Sequence, residues 1–157
     1  MAKNYQMTRP FEPEQAADNV LGRFVGYHLK RAQHILMGDL NATLRPFELR
    51  MLSYSTLSII VNNPDVRASQ ISDVLAIERS NLVVILNELE EFGLIRRHQV
   101  PADRRAYALA PTSKGEALYG EATAAVEAHE SRIFASATEA EIATIVRVMK
   151  NIHRCEC

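Results

Sequence analysis

The run SQISDVLAIERSNLVVILNELEEFGLIRR, from Ser69 to Arg97, decides how this chain folds. It contains two helical patterns, Ser69 to Leu75 and about Arg79 to Phe92, separated only by Ala76, Ile77 and Glu78. Helices joined so briefly must turn sharply on each other. Wound at about 100° per residue, the second pattern places Leu82, Ile85, Leu86 and Leu89 on one face, and Ser80, Val84, Asn87, Glu88 and Glu91 on the opposite one. The first face suits a core and the second is free. Gly93 follows as a residue able to take the left-handed conformation that closes a helix.

Downstream, LIRRHQV and AYALA have strand-like composition and flank Pro101, Ala102, Asp103, Arg104 and Arg105. That spacing predicts a two-stranded hairpin with a charged tip. Thr112 can cap the next helix, which runs to about Ala135. Thr138 and Glu141 have capping-box spacing ahead of a last helix striped with Ile142, Ile145, Val146, Met149 and Ile152. Upstream, a helix is expected to start at Pro46 and run to about Val61, where Asn62, Asn63 and Pro64 stop it. Before it, Leu21, Phe24, Val25, Ala32, Ile35 and Leu36 predict one long amphipathic helix from about Glu14 to Asn41. The first 13 residues, with Pro10 and Pro13, are expected to form a flexible arm. The class is mainly α with one small β-hairpin.

A chain of 157 residues with 47% hydrophobic content suits a single domain with a real core. No apolar stretch approaches the roughly 18 residues needed to cross a bilayer, and the N-terminus lacks a secretory signal, so a cytoplasmic location is expected. The two cysteines, Cys155 and Cys157, lie in the last three residues, so packing rather than a disulfide framework must hold the fold. The net charge of −1 argues against a protein that coats nucleic acid unselectively. Positive charge is instead local: Arg96, Arg97, Arg104 and Arg105 face one acid, Asp103, with His98 beside them.

Near its N-terminal half, the free face of the helix that starts at about Arg79 offers Ser80, Asn81, Val84 and Asn87. Asparagine can pair with the adenine edge in the major groove, and an apolar group can meet the thymine methyl. The competing reading is an ordinary solvated face, since Glu88 and Glu91 would repel phosphate. There is no nucleophile elbow, phosphate-binding glycine loop or metal-hydrolase motif, so neither an enzyme nor a cofactor is expected. His28, His34, His98, His129 and His153 show no metal-ligand spacing with one another or with the two cysteines. His28, on the apolar side of the first helix, is expected to be a hydrogen-bonded interface residue.

Taken with their spacing, these segments resemble the MarR family of transcription regulators. Ser69 to Arg97 is similar to the family's helix-turn-helix, and DRRAYALAPTSKG, Asp103 to Gly115, to its wing signature of Asp-x-Arg, a strand and a Thr-x-x-Gly helix start. LRPFELRML, Leu44 to Leu52, resembles the preceding helix. The resemblance spans roughly residues 20 to 153. It implies one domain over 14–157, in which a winged helix-turn-helix at about 46–112 lies between dimerisation helices at about 14–41 and 113–155. It further implies a homodimer that binds a pseudo-palindromic operator in double-stranded DNA, with half-sites about one turn apart. The reader would be Arg79, Ser80, Asn81, Val84 and Asn87, with Arg104 and Arg105 from the wing. Asp103 would orient an arginine toward the narrow minor groove.

The family also places an effector pocket, often for aromatic anions, between the dimerisation helices and the winged domain. The residues available for it are Tyr27, Lys30, Arg31, His34 and Tyr54, with Tyr27 and Arg31 one turn apart. The expected function is a repressor released by a small molecule such as an aromatic carboxylate or its thioester. The alternatives are a scaffold of the same fold without specific DNA recognition, or a metal-responsive regulator. Three positions depart from the pattern: Val84 where many relatives carry a basic residue, Arg45 where Ser or Thr is usual, and Glu78 where a small polar cap is common. The N-terminal cysteine of peroxide-sensing relatives is missing.

Overall fold

The structure, a computed structural model, describes residues 20–100 and 103–154, and the side chains of all of these but 100, 103–106 and 153–154. The proposed arm and Cys155 and Cys157 lie outside the described residues. The chain divides into two compact units at Asp39 and Leu40. In order, the elements are α1 (Val25–Leu44), a 3-10 turn (Arg45–Phe47), α2 (Met51–Asn62), α3 (Ala68–Leu75), α4 (Arg79–Glu91), β1 (Ile95–Val100), β2 (Asp103–Pro111), α5 (Ser113–Ile133) and α6 (Glu139–Arg154). This is a mainly helical fold with one small antiparallel sheet, as the patterning implies.

In the first unit the expected long helix is interrupted. Leu21–Arg23 form a turn, and α1 begins only at Val25. Gly22 lies at the break, where a helix is costly to continue, and its carbonyl accepts a hydrogen bond from His28 Nε2 at 2.6 Å. His28 is exposed and ties the turn back onto its own helix. At its other end α1 runs three residues past Asn41, to the fully buried Leu44.

In the second unit Pro46 lies inside the 3-10 turn rather than at the start of the α-helix, which begins at Met51. The reason is a backbone clasp. Glu48 N–H donates to the Arg45 carbonyl at 3.0 Å and Leu49 N–H to the Leu44 carbonyl at 3.3 Å, a Schellman ending with Glu48 left-handed at φ 56°. Leu44 and Leu49 are thereby brought into one core. Arg50 offers α2 no side-chain cap, and the Asn41 Oδ1 accepts from the Met51 N–H at 3.1 Å instead.

That core gathers Leu57 and Ile60 of α2, Ile71 of α3, Leu82, Ile85, Leu86 and Leu89 of α4, Leu94, Ile95 and Leu109 of the hairpin, and Ala122 of α5. The α4 residues are the four assigned to its inner face, and fully burying each contributes on the order of 1.5–3 kcal/mol. Tyr54 and Tyr119 stack at 6.0 Å between α2 and α5. The Tyr119 hydroxyl accepts from Ser58 Oγ at 3.3 Å and Asn62 Nδ2 at 3.0 Å. Those two bonds, Ser58 first, hold its phenol pKa below the ordinary 10.0.

The hairpin pairs Ile95 with Pro111 and continues to Val100 opposite Asp103, with a register shift at Gln99/Val100. Asp103, Arg104 and Arg105, expected in the tip, therefore have their backbone in β2. Residues 65–66 extend the sheet through the Val66–Leu109 bridge.

The joint from β2 into α5 is a close backbone approach. Thr112 caps α5 by accepting from the Gly115 N–H at 3.0 Å, while its own hydroxyl donates to the Gly93 carbonyl at 2.7 Å. Its N–H donates to the Leu94 carbonyl at 3.0 Å. A Cβ on Gly115 would overlap that carbonyl oxygen and come within 2.9 Å of its carbon. Both obstacles are backbone and cannot rotate away. We expect Gly115→Ala to destabilise the fold by roughly 1–3 kcal/mol, read from denaturant unfolding. An unchanged midpoint would mean that the joint opens without cost.

Candidate nucleic-acid interface

The interface is built on α4 and the hairpin. The α3–α4 corner is set by Ala76, left-handed at φ 51°, whose N–H donates to the Asp73 carbonyl at 3.4 Å while the Ile77 N–H reaches the Ser72 carbonyl at 3.1 Å. This second Schellman ending turns α4 within three residues. α4 closes with a third: Gly93, at φ 69°, and Leu94 donate to the Glu90 and Leu89 carbonyls, each at 2.9 Å. Glu78 makes no capping bond to α4, so the first N–H groups of that helix are not satisfied by its side chain.

With the inner face of α4 buried, Arg79, Ser80, Asn81, Val84 and Asn87 are all exposed, with Val84 at 57%. Ser80, Val84 and Asn87 follow one another at helical spacing, giving a short polar stripe with one apolar patch. Glu88 and Glu91 occupy the C-terminal half and are exposed too.

Arg97 of β1 reaches across to this stripe, a link that sequence reasoning missed. Its Nη2 donates to Asn87 Oδ1 at 2.6 Å, and its Nε stands 3.2 Å from Glu90 Oε2. The only available sequence signal was its place in the basic cluster. Partway along the hairpin, His98 Nε2 meets Asp65 Oδ1 at 2.8 Å. Both side chains are substantially exposed, at 40% and 73%, so this pair contributes less than about 1 kcal/mol. The side chains of Asp103, Arg104 and Arg105 lie outside the described residues.

The residues considered for an effector divide between the two units. Tyr27 and Arg31 do come together: Arg31 Nη1 donates to the Tyr27 hydroxyl at 3.1 Å, and the guanidinium carbon lies 5.6 Å from the ring centroid. Lys30 and His34 are exposed on the same helix. In the second unit the Tyr54 hydroxyl is bonded to Thr123 Oγ1 at 3.1 Å. Among the described residues no group of three or more His, Cys, Asp or Glu gathers as metal ligands, and no helix is long and apolar enough to cross a membrane.

The profile of the MarR family matches residues 49–107. A Thauera aromatica protein assigned to regulate transcription of the hcr operon is 31% identical over 131 residues, covering 83% of this chain and 79% of that one. The chain belongs to the MarR family. Among solved structures, the transcriptional repressor CouR bound to a 23-mer DNA duplex superposes with a TM-score of 0.82 at 31% identity, over 87% of this chain and 96% of that one. CouR from Rhodococcus jostii RHA1 bound to p-coumaroyl-CoA gives 0.78 at 29% identity, over 83% and 92%. This MarR chain is thus a transcriptional regulator whose winged-helix fold matches family structures over nearly their whole length.

The corner residue supplies a test of this architecture. A non-glycine residue in the left-handed region costs roughly 1–2 kcal/mol, of which glycine's greater freedom when unfolded returns roughly half. Ala76→Gly is expected to stabilise the protein by about 0.5–1 kcal/mol, and Ala76→Val to destabilise it. A lower urea midpoint for the glycine variant would show that Ala76 is not left-handed.

Proposed function

We propose that this MarR chain is a repressor that binds a pseudo-palindromic operator in double-stranded DNA as a homodimer, and that an aromatic acid or its coenzyme A thioester releases it. The observation that carries the reading is the division of α4 into a buried leucine and isoleucine face and an exposed face of Ser80, Asn81, Val84 and Asn87. A helix held in this way by its core face presents short hydrogen-bonding groups and a methyl-bearing side chain to base edges. Arg79 stands at its start for phosphate. Asp103, Arg104 and Arg105 serve the wing, with Asp103 orienting an arginine for the minor groove. The DNA-bound relative supports this assignment.

Dimerisation follows from uncovered apolar surface. Val20, Phe24, Val25 and Ile35 are 48–66% exposed in the first unit, and Ile142, Ile145, Val146 and Ile152 are 36–52% exposed on α6. A second copy covers such stripes with the same residues. Dimerisation is accordingly assigned to α1 with the turn before it and to α5 and α6, with the winged helix-turn-helix at about 46–112 between them.

For the effector, the Tyr27 ring offers an aromatic wall, and the Arg31 guanidinium beside it a partner for a carboxylate or thioester oxygen. Lys30 and His34, exposed on the same helix, supply further polar contacts. The relative bound to p-coumaroyl-CoA supports an aromatic acyl thioester. Such a ligand shifts DNA affinity by its differential affinity for the free and DNA-bound arrangements, typically 1–3 kcal/mol.

Binding to the promoter next to the chain's own gene is expected to exceed binding to random duplex at equal salt, and equal affinities would favour a scaffold. In the same assay Arg105→Ala should lose roughly 1–3 kcal/mol with unchanged circular dichroism; full affinity would remove the wing from the interface. For the effector, a panel of aromatic acids and their coenzyme A thioesters is titrated against the DNA complex. Arg31→Ala should need about tenfold more of the active compound, as loss of one charge-assisted hydrogen bond implies. Release of both proteins at one concentration would exclude Arg31 as the anion partner.

A further inference from the structure

The free face of α4 is not a set of independent side chains. Asn87 is its one carboxamide at the middle of the helix, and a free carboxamide is the group that pairs with adenine: its oxygen accepts from the N6 amino group while its nitrogen donates to N7. Here the oxygen is already engaged, at 2.6 Å, by a guanidinium nitrogen of Arg97. Glu90 holds the same guanidinium through Nε at 3.2 Å, which turns its outer nitrogens toward Asn87. The guanidinium of β1 is therefore fixed at two points, by the Glu90 carboxylate and by the Asn87 carboxamide oxygen, both on α4.

We infer that Arg97 sets the base that Asn87 reads, leaving the pair with donors only, so that the protein selects guanine rather than adenine at that step of its site. This rests on the assignment of α4 to the major groove. The groups still available are the two Nδ2 hydrogens of Asn87 and the remaining guanidinium hydrogens, all donors. A carboxamide oxygen has a second lone pair, but an amino hydrogen approaching it would come beside the guanidinium N–H already donating there. The same guanidinium N–H groups suit an acceptor. Guanine is the base edge with two major-groove acceptors, N7 and O6, whereas adenine and cytosine each present an amino donor.

Selection of sites from a randomised duplex library by the full-length protein tests this, with wild type, Asn87→Ala and Arg97→Met compared at one salt concentration. The base pair that Asn87 reads is the one whose preference flattens in Asn87→Ala. At that pair wild type should prefer guanine over adenine by at least about fivefold, and Arg97→Met, which keeps an apolar stem but no donor, should move the preference to adenine. A measurement on wild type alone guards against misfolding of the variant: replacing that guanine by 7-deazaguanine removes the N7 acceptor and should weaken binding several-fold. Adenine preference in wild type, an unmoved preference in folded Arg97→Met, full affinity for the 7-deazaguanine site or no position flattened by Asn87→Ala would each overturn the inference while leaving DNA recognition intact. Failure of wild type to enrich any sequence would overturn the major-groove assignment, and this inference with it.

Discussion

The absence of a side chain on Gly115 allows the start of α5 to press against the backbone at Leu94, where α4 ends and the hairpin begins. Thr112 occupies the same spot from the other side, bonded to the carbonyls of Gly93 and Leu94 and to the Gly115 N–H. One point thus fixes the end of α4, the root of both strands and the first turn of α5. Lys114 adds a bond from its Nζ to the Phe92 carbonyl at 2.7 Å. With that point fixed, the direction of the hairpin relative to α4 has little freedom, because β1 leaves two residues after Gly93 and β2 returns one residue before Thr112.

Rigidity at the root is what makes the link farther out possible. Arg97 sits two residues into β1 from the buried Ile95, so its side chain reaches α4 at a defined height and meets Asn87 and Glu90. The ion pair is partly exposed and adds little to stability. Its consequence is chemical, because it couples the hydrogen-bonding character of α4 to a residue on the hairpin.

The buried core of the second unit is almost entirely leucine and isoleucine. Ile142, Ile145, Val146, Val148 and Ile152 of α6, by contrast, remain open to solvent. A helix striped in this way loses its driving force for order unless something covers it, which is the physical basis for assigning it to a subunit contact. The same holds for the exposed apolar residues that precede and begin α1.

Much of the fold was legible in the chain itself because its determinants are local. The 3.6-residue recurrence of Leu82, Ile85, Leu86 and Leu89, the glycine at position 93, the Thr112 cap and the Thr138–Glu141 box, with Glu141 Oε2 accepting from the Thr138 N–H at 2.8 Å, all follow from neighbours a few residues apart. Where the sequence misled, a nearby bond outweighed periodicity: Gly22 with His28 broke the first helix, and the Leu44–Leu49 clasp delayed α2 by five residues beyond Pro46. Residues such as Ser80, Asn81, Val84 and Asn87 could be placed on one free face from spacing alone. That Asn87 is held by Arg97, ten residues away on another element, could not, because a side-chain contact across elements depends on how the strand leaves the helix. The sequence by itself determined the elements and the face that α4 turns outward; the tertiary structure decided what that face offers, because only packing at Leu94 and Gly115 brings a guanidinium within reach of a carboxamide.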